Sequence, residues 1–256
     1  MASVFVTGSS DGIGLESVRQ LLDQEHRVVG HARNPERAED LHAAAPGVAA
    51  VVVGDLASLA ETKALAAAAD AAGPFDAVIH NAGVGGGGPR QQTTDGLERI
   101  FHVNTVAPYL LTALMARPAR LVYLTSGLEA GGRLTADDLQ WTAREWQGMQ
   151  AYSDSKLHDV LIAFAVARLW PGTLSTTVDP GWIKTRLGGP NAWDEVADGA
   201  ATQVWLAVSD DDGARVSGEY LKRFEIQTPN PVARDEAAQE ALLAALAELT
   251  GVPLPR

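Results

Sequence analysis

The chain has 256 residues, of which 46% are hydrophobic, and it carries a formal net charge of −12. This length suits one α/β domain with a full core, and the hydrophobic content excludes a disordered chain. The excess of negative charge argues against a nucleic-acid partner, because phosphate backbones would repel the chain as a whole.

Cysteine and histidine usage excludes several kinds of site. The chain has no cysteine, so disulfides, thiolate metal sites and a cysteine nucleophile are excluded. The six histidines form no HxxH or HxxxH pair, and no metal site is predicted. We find no signal-peptide pattern, and the longest apolar run, 160–167, is shorter than the ~20 residues of a membrane span. The expectation is a cytoplasmic protein without a membrane partner.

Short apolar runs alternate with helical patterns along the chain. The runs are nearly continuous in Val, Ile, Leu and Ala, which is typical of strands buried on both faces. This alternation predicts a single-domain, doubly wound parallel sheet of Rossmann type with helices on both faces. Predicted strands cover 4–7, 27–31, 48–54, 76–80, 121–125 and 174–178, and predicted helices cover 14–25, 35–45, 58–72, 95–116, 151–169 and 235–249, the last ending at Gly251.

The first predicted strand runs directly into a glycine-rich turn and then into the first predicted helix. The turn reads Thr7-Gly8-Ser9-Ser10-Asp11-Gly12-Ile13-Gly14. Glycines let the backbone approach a pyrophosphate closely, and a helix N-terminus offers it unpaired N–H groups. An ordinary strand–helix loop is the alternative for this segment taken alone. The Gly-x-x-x-Gly-x-Gly spacing resembles the opening motif of the short-chain dehydrogenases/reductases.

The end of the second strand bears on the choice of cofactor. An NAD-selective site usually places a carboxylate here, but this chain has Ala32 and Arg33. A guanidinium suits a 2′-phosphate by charge and by its forked donors, so we expect NADP(H) to be preferred over NAD(H). The alternative is a solvated arginine. Asp11 counts against NADP(H), because some NADP-dependent members of the family carry a basic residue at its position.

Two further strand ends resemble the family. In Gly54-Asp55-Leu56, the resemblance implies that Asp55 accepts a hydrogen bond from the adenine amine; Asp55 could also cap the helix that follows. Asn81-Ala82-Gly83 resembles the family's Asn-Asn-Ala-Gly, with His80 in its first place. Small residues at this point would let the backbone pass close to the cofactor.

Tyr152 and Lys156 stand four residues apart and share one face of the predicted helix. Carbonyl reduction needs a proton donor, and a neighbouring ammonium eases proton release from a tyrosine, whose ordinary pKa is about 10. Ser126 ends the fifth strand, at the sheet edge where open α/β folds bind ligands. A Tyr-x-x-x-Lys pair alone is commonly a surface pair; the order of all these motifs along the chain is what favours the functional interpretation.

The resemblance implies a complete set of site residues. The catalytic residues would be Asn104, Ser126, Tyr152 and Lys156, with Asn104 bending its helix and holding a water that leads to the lysine. The segment 179–185 resembles the family's Pro-Gly-x-x-x-Thr, whose backbone meets the nicotinamide carboxamide and whose threonine reaches the phosphates. The implied cofactor residues are Gly8, Ser10, Gly12, Ile13, Gly14, Arg33, Asp55, Leu56, Asn81, Ala82, Gly83, Tyr152, Lys156, Pro180, Gly181, Ile183 and Thr185.

The resemblance also divides the chain and places it in a branch. Residues 1–125 would bind the cofactor, and residues 126–256 would carry catalysis and substrate binding. Tyr152 follows Ser126 by 26 residues. That separation resembles the carbonyl-reductase-like and retinol-dehydrogenase-like members, which have an insertion here. In some of them the insertion covers a helix face used for tetramer assembly, so a monomer or homodimer is predicted.

The predicted function is an NADP(H)-dependent oxidoreductase that moves hydride between the nicotinamide and a carbonyl or secondary alcohol, with Tyr152 as general acid/base. Because four tryptophans flank the expected pocket, a small apolar or aromatic carbonyl substrate is predicted; alternatively they anchor their loops. A non-catalytic NADP-binding redox sensor or partner-binding module is the alternative function. A hydrolase using Ser126 lacks a nucleophile-elbow pattern. The tryptophans are Trp141, Trp146, Trp182 and Trp193.

Overall fold

The computed structural model describes residues 1–256 and contains one eight-stranded sheet. The strands are β1 (Ser3–Val6), β2 (Arg27–Ala32), β3 (Ala50–Val53), β4 (Ala77–His80), β5 (Arg120–Leu124), β6 (Leu174–Val178), β7 (Glu219–Lys222) and β8 (Glu225–Gln227). Their order is β3-β2-β1-β4-β5-β6-β7-β8. Strands β1 to β7 pair in parallel, and β8 pairs antiparallel to β7. This order confirms the predicted doubly wound fold.

Helices cover both faces of the sheet. They are α1 (Gly12–Asp23), α2 (Pro35–Ala44), α3 (Leu59–Ala72), α4 (Arg99–Phe101), α5 (Ala107–Leu114), α6 (Gly148–Leu169), α7 (Val196–Val208) and α8 (Glu236–Thr250). None of them combines the length and the hydrophobicity that crossing a bilayer requires.

The apolar strands supply two separate cores. Phe5 belongs to the larger core, packed with α3, α5, α6 and α8, whereas its neighbours Val4 and Val6 belong to the core with α1, α2 and α7. Successive side chains of a strand point to opposite faces. A strand covered on both faces therefore needs apolar residues without interruption, which is the pattern seen in the sequence.

The predicted helix 95–116 is shorter and irregular in the structure. It begins at Arg99, passes through a π-helical turn at His102–Val106 and ends at Leu114. A π turn contains one residue more than an α turn, which bends the helix axis at this point. Asn104 lies inside this turn, where the resemblance implied a bend.

Three elements were not predicted. Helix α7 contains Gly199, and a Cβ at this position would lie 2.7 Å from Cδ1 of Ile183. The glycine is therefore needed for close packing, although it weakens the helical pattern. Strands β7 and β8 are short and partly polar, and β8 is exposed throughout, so neither forms an apolar run.

Two helix ends test predictions about capping. Gly251 has left-handed backbone angles (φ 69°) and ends α8, as predicted. The expected capping of α3 by Asp55 is wrong. Ser58 caps that helix by accepting a hydrogen bond from the Glu61 N–H at 3.3 Å, while Asp55 accepts one from the Ala57 N–H at 2.9 Å.

Candidate active site

The glycine-rich turn after β1 can be built only from glycine at its key positions. Gly8 and Gly12 have left-handed backbone angles (φ 65° and 54°). A Cβ on Gly14 would collide with the Gly8 carbonyl oxygen and lie 2.5 Å from Nδ2 of Asn81. That Asn81 amide donates to the Thr7 carbonyl at 2.9 Å, which fastens the turn to the end of β4. The turn is therefore narrow, and its backbone is open to a ligand.

The N-terminus of α1 has no side-chain cap. Asp11 precedes the helix but makes no capping hydrogen bond, and the first backbone bond of the helix runs from the Leu15 N–H to the Asp11 carbonyl at 3.1 Å. The N–H groups of residues 12–14 thus point out of the helix end. Such a set of donors, beside glycines that leave room for it, fits the diphosphate of a dinucleotide. Thr185 approaches the same turn, with its Cγ2 3.3 Å from the position of a Cβ on Gly12.

Two arginines lie near this turn, one of which the sequence analysis overlooked. Arg33 is exposed and forms no ion pair or hydrogen bond through its side chain. Arg37 contacts Asp11 and Asp40, each at 2.6 Å, and donates to Oγ of Ser10 at 3.2 Å. Arg37 therefore offsets only part of the charge of Asp11, because Asp40 shares the same guanidinium. The sequence signal for Arg37 was its place four residues after Arg33, in the first turn of α2.

His31 is a second residue that the sequence analysis overlooked. The Gly8 N–H donates to its Nδ1 at 2.9 Å, and its Nε2 lies 2.8 Å from the carbonyl oxygen of Gly54. These contacts match a neutral ring protonated on Nε2. Burial lowers the pKa of His31, although the Gly54 carbonyl and Asp55 act in the opposite direction. The ring links the glycine turn to the end of β3, directly before Asp55 and Leu56.

Lys156 is buried where α6 meets the end of β5. Its Nζ donates to the Leu124 carbonyl at 2.7 Å and to Oδ2 of Asp159 at 2.9 Å, and it lies 5.9 Å from the ring centroid of Tyr152. Thr125 adds a hydrogen bond to the Lys156 carbonyl at 2.7 Å. Burial alone would lower the pKa of Lys156, but attraction by Asp159 and Tyr152 raises it above its usual value. The lysine is therefore an ammonium.

Asn104 bonds to the loop after β4 and to α6, and Ser126 follows the end of β5, where Leu124 bonds to Lys156. The Asn104 side chain accepts from the Val84 N–H at 2.8 Å and donates to the Val84 carbonyl and to Oγ of Ser155, both at 3.0 Å. It therefore ties the loop after β4 to α6. Ser126 is half-buried, and its Oγ accepts one bond, from the Leu128 N–H at 3.3 Å. The hydroxyl proton of Ser126 has no acceptor within the chain.

The segment after β6 approaches the site from a third side. Gly181 has a φ of 101°, and the Ile183 side chain is buried against Gly199 of α7. Any contact of Ile183 with a cofactor must therefore come from its backbone. Leu187 lies 2.6 Å from the position of a Cβ on Gly85, so the segment reaches the loop that follows β4.

The four tryptophans fall into two pairs with different surroundings. Trp141 is buried, packs with Ile100 and Ala151, and stacks edge-on with Trp146 at 5.9 Å. Trp146 donates to the Gly88 carbonyl at 3.1 Å and packs against the same small cluster as Tyr152. Trp141 is thus a loop anchor, whereas Trp146 both anchors a loop and borders the site.

The second tryptophan pair is largely open to solvent. Trp182 and Trp193 contact each other edge-on at 4.5 Å, and their exposed fractions are 42% and 65%. The indole N–H of Trp182 donates to the Gly188 carbonyl at 2.7 Å. These rings present an apolar surface on the segment after β6, which also contains Thr185 and Leu187.

A buried acidic group next to Ser126 also escaped the sequence analysis. Asp179 pairs with Lys222 at 2.7 Å and accepts from the Gly181 N–H at 2.9 Å. Glu129 accepts from the Asn230 N–H at 3.1 Å, and burial raises its pKa. These contacts hold the loops after β5 and β6 in place. Nowhere do three histidine or acidic side chains come close enough to hold a metal ion.

Comparisons with known proteins agree with this geometry. The sequence profile described as "short chain dehydrogenase" matches residues 2–189. "Short-chain dehydrogenase chyC" of Penicillium rubens is 42% identical, with 100% of both chains covered. "Retinol dehydrogenase 13" of Homo sapiens is 31% identical, over 99% of this chain and 86% of its own. The crystal structure of a blue fluorescent protein from a metagenomic library, in complex with NADPH, is similar with a TM-score of 0.67 and 25% identity, covering 86% of this chain and 95% of that one.

Gly14→Ala tests whether the turn binds a dinucleotide. We expect the added methyl group to displace Gly8 and Asn81 and to weaken NADPH binding by about tenfold or more, since this position has no space for a Cβ. Binding is measured by the change in NADPH fluorescence. The matched control is Gly172→Ala, where a Cβ meets no atom within 4 Å. Equal affinities for the two variants would contradict the assignment.

Proposed function

Because this chain belongs to the short-chain dehydrogenase family, we propose that it is an NADP(H)-dependent oxidoreductase acting on carbonyls and secondary alcohols. The relatives support the retinol-dehydrogenase-like branch. The observation that carries the proposal is the position of the Lys156 ammonium. It is fastened to the Leu124 carbonyl at the end of β5 and lies 5.9 Å from the Tyr152 ring.

Each side chain of the site has a distinct role in this proposal. When bound, the nicotinamide ring supplies or accepts the hydride. The Tyr152 hydroxyl donates the proton to the substrate oxygen in reduction and takes it back in oxidation. The Ser126 hydroxyl, whose proton has no acceptor within the chain, donates to the same oxygen. Lys156 uses two donors inside the protein, which leaves the third for the ribose of the nicotinamide half.

The path of proton supply is also part of the proposal. Asn104 lies beside Gly83 and Lys156, since a Cβ on Gly83 would lie 3.4 Å from its Oδ1 and 3.6 Å from the lysine Nζ. The π turn around Asn104 opens the regular helical bonding at this point. A water held at this turn would connect Lys156 with solvent and restore the proton that Tyr152 gives up.

The preference for NADP(H) rests on charge near the adenosine end. Arg33 has no partner in the chain and is available to a 2′-phosphate, while Arg37 weakens the repulsion that Asp11 would otherwise cause. The similar blue fluorescent protein is in complex with NADPH. Asp55 and Leu56 would border the adenine, Ala82 and Gly83 the ribose, and Pro180, Gly181 and Ile183 the carboxamide through backbone atoms.

An apolar or aromatic carbonyl compound is the proposed substrate. The side chains that support this are large, apolar and unusually exposed, and they lie in the segments that follow β5 and β6 and begin α6. They are Leu128, Met149, Trp182, Leu187 and Trp193. Apolar walls with few polar groups are typical of small-molecule pockets. The human relative is named for retinol, which is an apolar alcohol.

Assembly and location complete the proposal. The insertion is held against α6 by Asp154, which accepts from the Arg133 N–H at 2.9 Å and pairs with Arg144 at 3.7 Å. This part of α6 is therefore covered, which favours a monomer or homodimer over a tetramer. The cytoplasmic location stays a prediction.

A non-catalytic NADP-binding sensor is the second candidate, but a sensor needs no Tyr152 beside a buried Lys156.

Tyr152→Phe tests the proposed chemistry. We expect the reduction of aryl ketones, followed by the loss of NADPH absorbance, to fall by about 10² to 10⁴-fold while NADPH binding is retained. The control is Tyr109→Phe, which removes a phenol whose hydroxyl bonds to the Val252 carbonyl. Full activity of Tyr152→Phe would refute the assigned acid, and absence of activity in the native protein with every carbonyl tested would favour the sensor.

Arg33→Ala tests the cofactor preference. Loss of a charged hydrogen bond to a phosphate should raise the KM for NADPH by about tenfold or more and leave the KM for NADH nearly unchanged. Arg19→Ala, at an arginine bonded to the Ala44 carbonyl, serves as the control for loss of one positive charge. An equal rise for both cofactors would contradict a role in binding the 2′-phosphate.

A further inference from the structure

Asp159 is a buried carboxylate one helical turn beyond Lys156. Only 3% of the residue is exposed, and its one ion-pair partner is the Lys156 ammonium at 2.9 Å. We propose that Asp159 is a positioning residue that acts through Lys156 and keeps the Tyr152 phenol protonated, which favours carbonyl reduction over alcohol oxidation. The inference rests on the proposed role of Tyr152.

Asp159 helps to fix the position of the Lys156 ammonium. An ammonium has three donors, and here two of them point to the Leu124 carbonyl and the Asp159 carboxylate. Lys156 and Asp159 are three residues apart on α6, so they lie on the same helix face. Asp159 therefore limits where the lysine nitrogen can lie relative to the Tyr152 ring.

Asp159 also opposes the positive charge beside Tyr152. An unopposed ammonium near a phenol favours the phenolate and shifts the titration by about 1–3 pH units. A carboxylate at 2.9 Å from that ammonium converts the charge into an ion pair, whose field falls off faster with distance. Burial raises the pKa of Asp159 to about 6, although Lys156 acts in the opposite direction. The carboxylate is therefore ionised at neutral and alkaline pH.

The surroundings offer no other charge to Asp159. From β5 it faces Tyr123, whose pKa is raised by burial and, to a smaller extent, by the Asp159 carboxylate. The Tyr123 hydroxyl bonds to Thr112 of α5 at 2.7 Å, and its ring stacks on His80 of β4 at 4.7 Å. Burial lowers the pKa of both His80 and His158 to about 3, so neither histidine carries a charge.

The nearest other ion pair on this helix is separate from Asp159. Asp154 pairs with Arg144 of the insertion and belongs to the loop contacts described above. Asp159 is thus the one carboxylate that opposes the Lys156 charge. In reduction, hydride passes to the carbonyl carbon and the Tyr152 proton passes to the oxygen, after which solvent returns a proton to the phenolate. A phenol that stays protonated at neutral pH is ready for this direction.

The test follows the ionisation of tyrosine by ultraviolet absorbance in the cofactor-free protein. The chain has four tyrosines. Burial raises the pKa of Tyr109 to about 12 and that of Tyr123 and Tyr220 further. The first phenolate transition is assigned to Tyr152 by its absence in Tyr152→Phe.

Asp159→Asn keeps the size of the side chain and an oxygen for Lys156 but removes the charge. We expect the midpoint of the first phenolate transition to fall by about one pH unit, with a matching fall in the midpoint of the pH profile for alcohol oxidation. The control is Asp76→Asn, whose carboxylate accepts from the Ser3 N–H at the opposite edge of the sheet. That variant should leave the transition in place.

A midpoint in Asp159→Asn that is unchanged or higher would overturn the inference. If the carboxylate had only a structural role, its loss would lower thermal stability and would not lower the midpoint. If this variant does not fold, Asp159→Ser removes the same charge and offers a smaller hydroxyl acceptor. The shift of the same midpoint then tests the inference. The proposed function fails separately, if Tyr152→Phe remains active. An inactive Tyr152→Phe together with an unmoved Asp159→Asn midpoint refutes only the role of Asp159.

Discussion

A buried ammonium joins the sheet to the helix that carries the tyrosine. Lys156 donates to a main-chain carbonyl at the end of β5 and to a carboxylate on its own helix, and both bonds lie in the interior. Without the ammonium, the Leu124 carbonyl and Asp159 would lose their partner in a medium of low polarity, which is costly. The same contact therefore sets the position of α6, and with it Tyr152, relative to the end of β5.

The remainder of the site follows from the parallel sheet. Because the carboxyl ends of parallel strands meet at one edge, the residues after β1, β4, β5 and β6 converge although they are far apart in the chain. Asn81 fastens the ends of β1 and β4 to each other, and Asn104 fastens the loop after β4 to α6. The uncapped α1 and the Lys156 ammonium then lie on the same edge. A dinucleotide lying along this edge would have its diphosphate at the N-terminus of α1 and its nicotinamide near Lys156.

Patterns carried by local sequence predicted much of this. The apolar runs predicted strands β1 to β6 to within about two residues at each end, because strands covered on both faces must be apolar throughout. The glycine turn and the Tyr152–Lys156 pair could be recognised because their spacing and their order along the chain resemble those of the family. Gly251 identified a helix end because glycine readily adopts the left-handed backbone angles found there.

Features that depend on tertiary partners could not be predicted. His31 looks like an ordinary strand residue until Gly8 and Gly54 are placed beside it, and Asp159 looks like a solvated helix residue until Lys156 is found buried. Helix α7 was hidden because Gly199 serves its packing against Ile183 rather than its helix propensity. Ser58 replaced Asp55 as the cap of α3 because Asp55 bonds to the turn before the helix.

The central claim is that Tyr152 and the Lys156 ammonium face a dinucleotide held at the carboxyl edge of the sheet. A crystal structure of the chain with NADP⁺ bound tests it most directly. The account requires the diphosphate against the N–H groups of residues 12–14, with the Tyr152 hydroxyl and Lys156 Nζ turned toward the nicotinamide and its ribose. A dinucleotide bound elsewhere, or these two side chains pointing away from it, would contradict the account.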